Sequence, residues 1–242
     1  MKTRTGADVA AAPLAVGGRL PGRAADFVAL AKPRLNVLVV ATSAAGYYLA
    51  GPDSPALLPM AAAVVGTALV AGGAAVLNQL YEKDTDALME RTRSRPLADR
   101  RLSSLDAWVF GLVLAGAGLL ILAAVSGAIA ALLALATIVI YLVIYTPMKR
   151  RSSLSTLVGA VPGALPPLIG WAASSGTLSV GGWSLFAIVF LWQIPHFMAI
   201  AWMYRDDYGR AGFPMLPVVE PDGRRTGRQA VLYAAALLPV SL

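Results

Sequence analysis

Long stretches without a single charged side chain constrain this chain more than any other feature of its sequence. They cover residues 35–52, 54–81, 107–148, 152–204 and 229–242. A helix needs roughly 20 apolar residues to cross a hydrocarbon layer about 30 Å thick. The first two stretches therefore predict one membrane-spanning helix each.

The third and fourth stretches are too long for one crossing, and each contains small, helix-breaking residues near its middle. These residues are Ser126 and Gly127 in the third stretch and residues 173–182 in the fourth. We expect a tight turn at each break, which gives six complete crossings. The last stretch is short for a crossing, and an unfinished helix end in lipid leaves backbone groups without partners. We therefore expect a seventh helix that is truncated at the C-terminus.

The basic residues predict the orientation of the chain in the membrane. All 20 Lys and Arg residues lie in the N-terminal arm or in the loops after the second, fourth and sixth crossings. Because Lys and Arg accumulate on the cytoplasmic side, the N-terminus and these loops are expected in the cytoplasm, in a cell inner membrane. The net charge of +7 is then explained by topology, and no nucleic-acid-binding module is present to suggest another cause.

The N-terminal residues and the cysteine count add two further expectations. Residues 1–25 lack the continuous apolar core of a signal peptide, so we expect a disordered cytoplasmic arm followed by one transmembrane domain over residues 26–242. The chain has no cysteine, which excludes disulfides and thiolate chemistry.

The loop after the second crossing carries the clearest chemical pattern. If the helix continues to about Asp86, then Asn78, Glu82 and Asp86 lie on one face, at positions i, i+4 and i+8. Carboxylates that repel each other on one helix face suggest a bound cation, and hard oxygen ligands favour Mg²⁺, which commonly bridges carboxylates to phosphates. The alternative is a solvated charged loop that only enforces topology.

A second acidic pair, Asp206 and Asp207, follows the sixth crossing on the same predicted side. Two acidic clusters facing one compartment can hold metal ions between them, while nearby cations bind phosphate oxygens. A diphosphate suits both groups. The candidate cations are Arg91, Arg93, Arg95, Lys149, Arg150 and Arg205. No phosphate-binding glycine loop of the nucleotide triphosphatases occurs.

Helix-breaking residues and a single histidine mark the apolar part. The fifth crossing contains Pro162, Pro166 and Pro167, and the sixth contains Pro195 and His196. Broken backbone at membrane depth is tolerated where it lines a cavity, and an ionisable residue there is a functional candidate. Ordinary helix kinking and a packing histidine remain the alternatives.

These residues resemble the UbiA superfamily of intramembrane prenyltransferases. The resemblance rests on Asn78-x-x-x-Glu82-x-x-x-Asp86 followed by Arg91-Thr-x-x-Arg95-Pro, and on the second acidic cluster. Further stretches resemble its heme-modifying branch. They are Ala31-Lys-Pro-Arg34, Lys149-Arg-Arg, Pro166-Pro-Leu-Ile-Gly-Trp171, Trp192-Gln-Ile-Pro-His-Phe197, Asp206-Asp-Tyr and Pro214-Met-Leu-Pro-Val218. The family usually has aspartate at the position of Glu82.

The resemblance implies an all-α membrane bundle of nine helices, of which this chain would contain about seven. It implies a Mg²⁺-dependent transfer of the farnesyl group of farnesyl diphosphate to a vinyl group of heme b, which gives heme O. The metal would be held by Asn78, Glu82, Asp86, Asp206 and Asp207. The diphosphate would be bound by Arg34, Arg91, Arg95, Tyr145, Lys149 and Arg150.

Pro195 frees a backbone carbonyl inside the bilayer and opens a polar notch beside His196, so we expect this imidazole to contact heme. We also expect the product to pass to heme A synthase or a terminal oxidase. Two other functions remain open at this point. One is prenyl transfer to a quinone precursor or a chlorophyll-like acceptor. The other is transport of heme or a cation, although transporters place ion ligands near the bilayer midplane and these acidic residues are expected at helix ends.

Overall fold

The structure, a computed structural model, describes residues 22–51 and 56–242, and this described part is helical and contains no strand. The arm predicted over residues 1–25 lies outside the described residues as far as residue 21. Residues 23–25 already form the first turn of a helix.

Ten helices follow one another in the described part of the chain. They are α1 (Arg23–Leu30), α2 (Pro33–Ala50), α3 (Leu57–Asp86), α4 (Ser104–Ser126), α5 (Ala128–Met148), α6 (Ser155–Ser175), α7 (Val180–Met203), α8 (Arg205–Arg210), α9 (Leu216–Val219) and α10 (Arg224–Ser241). Two wider π-helical segments occur, at the end of α4 (Leu122–Ser126) and within α5 (Ile140–Tyr145).

Helices α3 to α7 are each long and apolar enough to cross a membrane. Helices α1 and α2, which meet at an angle of 43°, form a sixth crossing if they are taken together. The chain is therefore a multi-pass membrane protein with five to six apolar spans. The helix expected from Gln229 begins earlier, at Arg224.

The predicted turns lie where the small residues indicated. Gly127 separates α4 from α5 with φ of +88°, and Gly176 follows α6 with φ of +68°. Both backbone conformations are accessible to glycine and strained for residues with a Cβ atom. These two turns return the chain across the bundle in very few residues.

Helix α6 lies at the centre of the bundle, where it packs against α2, α5 and α7. It stays helical through Pro162, Pro166 and Pro167. Its contact with α2 is unusually close: a Cβ atom built on Gly46 would lie 2.0 Å from the carbonyl oxygen of Pro167, and one on Gly170 would lie 1.9 Å from that of Ser43. The two backbones therefore touch, as glycine allows where membrane helices cross.

The loop between α3 and α4 packs against α8 at one end of the bundle. Met89 of this loop is buried with Ala201, Ala211, Phe213 and Met215. At the other side of the loop, Arg101 forms an ion pair with the buried carboxylate of Asp26 on α1. The ends of α3, α5 and α7 therefore lie together, and the charged residues singled out above belong to this end.

Candidate active site

The predicted column of oxygen ligands forms on α3. The helix continues to Asp86, and the residues Asn78, Glu82 and Asp86 are 1%, 5% and 2% exposed. A solvated charged loop would leave these groups in water. Their burial on one face favours the interpretation as a binding site, because charged groups are rarely buried without partners.

Glu82 is held from two sides. Its Oε1 accepts a hydrogen bond from the Lys149 ammonium at 2.9 Å, and the same ammonium lies 3.2 Å from Oε2. The Asn78 amide donates to Oε2 at 2.9 Å. Lys149 follows directly on α5, so this pair joins the ends of two helices that are distant in sequence.

Asp86 has its own cation. The Arg95 guanidinium donates to Oδ2 of Asp86 at 2.7 Å. The hydroxyl of Thr92 donates to the backbone carbonyl of Asp86 at 2.8 Å and fixes the first turn of the loop. Each buried carboxylate of α3 is thus neutralised by a cation that sequence analysis assigned to a diphosphate.

A third cation, Lys32, was not among the predicted site residues. It stands between α1 and α2 in the left-handed conformation, with φ of +49°. Burial, together with the nearby charges of Arg95 and Lys149, lowers the pKa of its ammonium group to about 7, so Lys32 carries only part of a positive charge at neutral pH. The turn that carries Lys32 is fixed by Gln79, whose amide donates to the Leu30 carbonyl at 2.7 Å. The stretch Ala31-Lys-Pro-Arg34 contains both basic residues, and the sequence prediction of a diphosphate contact named Arg34 and not Lys32.

At this end of the bundle, Arg95 and Lys149 balance the two carboxylates, and Lys32 adds a third basic group near them. Burial by itself lowers the pKa of Lys149, but the Glu82 carboxylate against its ammonium group outweighs this effect and raises the pKa above its usual range. Lys149 therefore stays protonated, and the site suits an anion.

The two residues of the second acidic pair, Asp206 and Asp207, have different surroundings. The Asp207 carboxylate accepts hydrogen bonds from the backbone N–H groups of Glu90 and Arg91, each at 3.3 Å, and forms an ion pair with Arg210. Burial raises the pKa of Asp207, but these donors outweigh it and lower the pKa below its usual range. The side chain of Asp206 is 86% exposed, with Arg205 at 3.8 Å.

The two acidic clusters lie beside the same loop but do not converge on one point. Among residues 22–51 and 56–242, no three acidic or histidine side chains are grouped closely enough to hold a metal ion between them. An assignment of Asp206 and Asp207 to metal binding therefore stays a prediction.

The remaining predicted residues have different surroundings. The Arg91 guanidinium lies 5.0 Å from the centre of the Tyr204 ring, and the Tyr145 ring centre lies 4.8 Å from the Lys149 ammonium. Arg34 and Arg150 are exposed. His196 is also exposed, on α7, and stacks on Trp192 with 5.1 Å between the ring centres.

The donor chemistry at the end of α3 fits a magnesium ion. Asn78, Glu82 and Asp86 offer amide and carboxylate oxygens on one buried face, and Mg²⁺ is commonly held by one or two carboxylates together with substrate phosphates. The cations around them would contact the same phosphates.

Comparison with solved structures defines the class of fold. A UbiA homolog from Archaeoglobus fulgidus, solved with GPP and Mg²⁺ bound, superposes with a TM-score of 0.72 at 17% identity, over 89% of this chain and 76% of that chain. A structure described for digeranylgeranylglyceryl phosphate synthase superposes with a TM-score of 0.74 at 15% identity, over 90% and 76%. The bundle therefore has the fold of UbiA-type membrane proteins.

Sequence comparison then gives the family. Protoheme IX farnesyltransferase from Solibacter usitatus is 47% identical over 226 residues, which are 90% of this chain and 77% of that protein. The protein of the same name from Opitutus terrae is 46% identical over 217 residues, 90% and 73% of the two chains. Residues 39–242 match the UbiA prenyltransferase family. The chain belongs to this family.

Proposed function

We propose that this chain transfers the farnesyl group of farnesyl diphosphate to a vinyl group of heme b, giving heme O and releasing diphosphate. The observation that carries the proposal is the buried cluster of basic and acidic groups at the end of α3, where Arg95 pairs with Asp86 and Lys149 with Glu82. The site lies at one end of an apolar bundle, which suits a substrate with an anionic head and a hydrocarbon tail. The relatives named above, which are similar over most of their length, supply the choice of heme as acceptor.

The chemistry needs the bond between C1 of the farnesyl group and the diphosphate oxygen to break, with the electron pair leaving on the diphosphate. Lys149, Arg95 and Lys32 bind this developing negative charge, which lowers the barrier. Arg91, Arg34, Arg150 and Tyr145 are the further predicted diphosphate contacts.

The allylic cation at C1 then forms a carbon–carbon bond with the terminal carbon of the vinyl group. The adjacent carbon takes a hydroxyl from water, which releases a proton and leaves a hydroxyethylfarnesyl side chain. A pocket between helices protects the cation from bulk water until the acceptor is in contact.

Asn78, Glu82 and Asp86 would hold Mg²⁺, which when bound supplies further positive charge to the departing diphosphate. Glu82, at a position where the family usually has aspartate, keeps the charge and lengthens the side chain by one methylene group.

The test of the proposed function uses membranes that contain the full chain. They are incubated with heme b and farnesyl diphosphate, and the products are analysed by mass spectrometry. We expect a farnesylated heme of the mass of heme O only when both substrates and Mg²⁺ are present. A second reaction replaces heme b with a 4-hydroxybenzoate acceptor. Prenylation of that acceptor and none of heme would overturn the proposal.

His196 is the proposed heme contact, because it is the only histidine of the chain and lies exposed beside Trp192 on α7. We expect His196→Ala to weaken heme binding and to leave binding of the diphosphate group unchanged. The measurement is a heme titration followed by absorbance. Met203→Ala, at an exposed position of the same helix, is the control. Equal heme affinity in both variants would remove His196 from the site.

We also propose that the chain lies in the cytoplasmic membrane with its active site facing the cytoplasm, and that heme O passes from it to heme A synthase or a terminal oxidase. The distribution of basic residues supports the orientation. Cysteines introduced at Arg93 and Gly176 should react with a membrane-impermeant reagent from opposite sides. Reaction from one side would contradict this orientation.

A further inference from the structure

Thr146 is a buried hydroxyl at the centre of the site to which the proposed function gives no role. It lies between Tyr145 and Pro147 on α5 and is 1% exposed. Its Oγ1 lies 2.8 Å from Oδ1 of Asn78 and 2.7 Å from the backbone carbonyl oxygen of Tyr141. A hydroxyl has one proton and can donate to only one of these two oxygens at a time.

The neighbouring groups determine which of the two oxygens accepts the hydrogen bond from the Thr146 hydroxyl. Glu82 lies against the Lys149 ammonium and is ionised, so the Asn78 group that faces it at 2.9 Å must be the NH₂ group. Asn78 Oδ1 therefore points at Thr146 and needs a donor, because a buried amide oxygen without one is costly. The Tyr141 carbonyl already accepts the backbone N–H of Thr146, at the end of the π-helical segment.

The hydrogen bonds therefore run in one direction, from Thr146 to Asn78 and from Asn78 to Glu82. We propose that Thr146 is a positioning residue: its hydroxyl orients the Asn78 amide, so that Glu82 keeps a hydrogen-bond donor when Lys149 turns to the diphosphate before Mg²⁺ is bound. This inference rests on the proposed function, in which Lys149 binds that diphosphate.

The physical consequence concerns the partners of Glu82. Without the Thr146 hydroxyl, Oδ1 of Asn78 has no donor while the amide faces Glu82, so this orientation is less favourable and Glu82 depends more on Lys149. Removing Lys149 from a buried carboxylate that has no other donor is costly. A diphosphate must then compete against a tighter ion pair, and its affinity falls.

Thr146→Val tests this because valine has nearly the same shape and lacks the hydroxyl. The probe is inorganic pyrophosphate, titrated calorimetrically into the purified full chain without Mg²⁺, because in the proposed function Mg²⁺ would itself occupy Glu82. We expect Thr146→Val to bind pyrophosphate roughly tenfold more weakly than the wild type, the size expected for a buried acceptor left unpaired. Thr146→Ser keeps the hydroxyl and should bind like the wild type.

Thr137→Val is the matched control. Thr137 lies on the same helix, and its hydroxyl donates only to the Leu133 carbonyl, at 2.9 Å within one turn. If Thr146→Val and Thr137→Val bind pyrophosphate equally well, the proposal is overturned. If Thr146→Val does not fold, Thr146→Ala and Thr146→Ser are compared, since they differ only in the hydroxyl, and equal affinity again overturns it.

The outcome is separate from that of the proposed function. Pyrophosphate binding requires neither heme nor a farnesyl chain. If the wild type farnesylates heme and Thr146→Val binds pyrophosphate as the wild type does, only the positioning role of Thr146 is refuted. If the wild type does not farnesylate heme but Thr146→Val shows the expected loss of pyrophosphate affinity, only heme as the acceptor is refuted.

Discussion

The two acidic regions at this end of the bundle resemble each other in sequence and differ in what their carboxylates contact. On α3, Glu82 and Asp86 are buried and paired with cations from other parts of the chain. On α8, Asp207 accepts hydrogen bonds from the backbone of the loop after α3, and Asp206 faces solvent. A carboxylate paired with a movable cation can exchange that cation for a ligand. A carboxylate bonded to backbone N–H groups holds a loop in place.

The largest expected effect is a difference in activity between substitutions of Asp86 and of Asp84, two aspartates of α3 that are two residues apart. Asp86 is buried and paired with Arg95, whereas Asp84 is exposed. We expect Asp86→Asn to lower heme farnesylation roughly a thousandfold, equivalent to about 4 kcal/mol of lost transition-state stabilisation. Asp84→Asn should remain within about twofold of the wild type, as surface substitutions usually do. The measurement is the rate of product formation at equal protein levels, and similar rates in the two variants would contradict the assignment of α3 as the reactive region.

A smaller effect is expected at Asp207, because its contribution is to position the loop that carries Arg91. Asparagine keeps one acceptor oxygen but loses the charge that Arg210 and two backbone N–H groups share. We expect Asp207→Asn to reduce turnover roughly tenfold, with looser packing of residues 87–103. Limited proteolysis of that loop beside the activity assay checks both parts. A thousandfold loss without any change in the loop would place Asp207 with the reactive carboxylates instead.

Lowering the pH tests the role of Asp207 in holding the loop. Because the hydrogen bonds to Asp207 lower its pKa below the unfolded value of about 3.9, its contribution to stability is fully present above that value. It is lost as the pH falls through the lower, folded-state pKa. We expect the protection of the Glu90 and Arg91 amides against hydrogen exchange to hold between about pH 5 and 7 and to decrease below about pH 4. In Asp207→Asn this acid-dependent step should be absent, and an identical profile in both proteins would refute the role of the carboxylate.

The smallest expected effect is that of Asp206→Asn. The exposed carboxylate lies 3.8 Å from Arg205, and exposed ion pairs of this kind contribute little. We expect activity and its Mg²⁺ dependence within about twofold of the wild type. A large increase in the Mg²⁺ concentration needed for half-maximal activity would show that Asp206 holds metal, as sequence analysis predicted, and would remove the difference between the two regions.

Much of this architecture could be predicted from the sequence, because membrane crossing and helix periodicity are local properties. The charge-free stretches predicted the long helices, and Gly127 and Gly176 lie at the predicted breaks. The four-residue spacing of Asn78, Glu82 and Asp86 placed them on one face. The family and the function were indicated by specific motifs, such as Asn78-x-x-x-Glu82-x-x-x-Asp86 and Trp192-Gln-Ile-Pro-His-Phe197.

The partners of the site residues could not be predicted in the same way. Lys149 meets Glu82, and Asp207 meets the backbone of Glu90, through the relative positions of helices far apart in the chain, which no local pattern determines. The prediction did not include Lys32, because its motif offers two basic residues and only the turn before α2 determines how far each is buried: Lys32 is partly buried and Arg34 is exposed. Thr146 has no sequence signal beyond its position near Lys149.

The contact between α2 and α6 limits how substrates dissolved in the bilayer reach the site. At Gly46 and Gly170 the two backbones approach so closely that even a methyl group would collide with the facing carbonyl oxygen. A farnesyl chain is at least as wide as a methyl group, so it cannot slip between these helices at that level. A substrate that enters from the lipid must therefore reach the site without passing between α2 and α6 at this level.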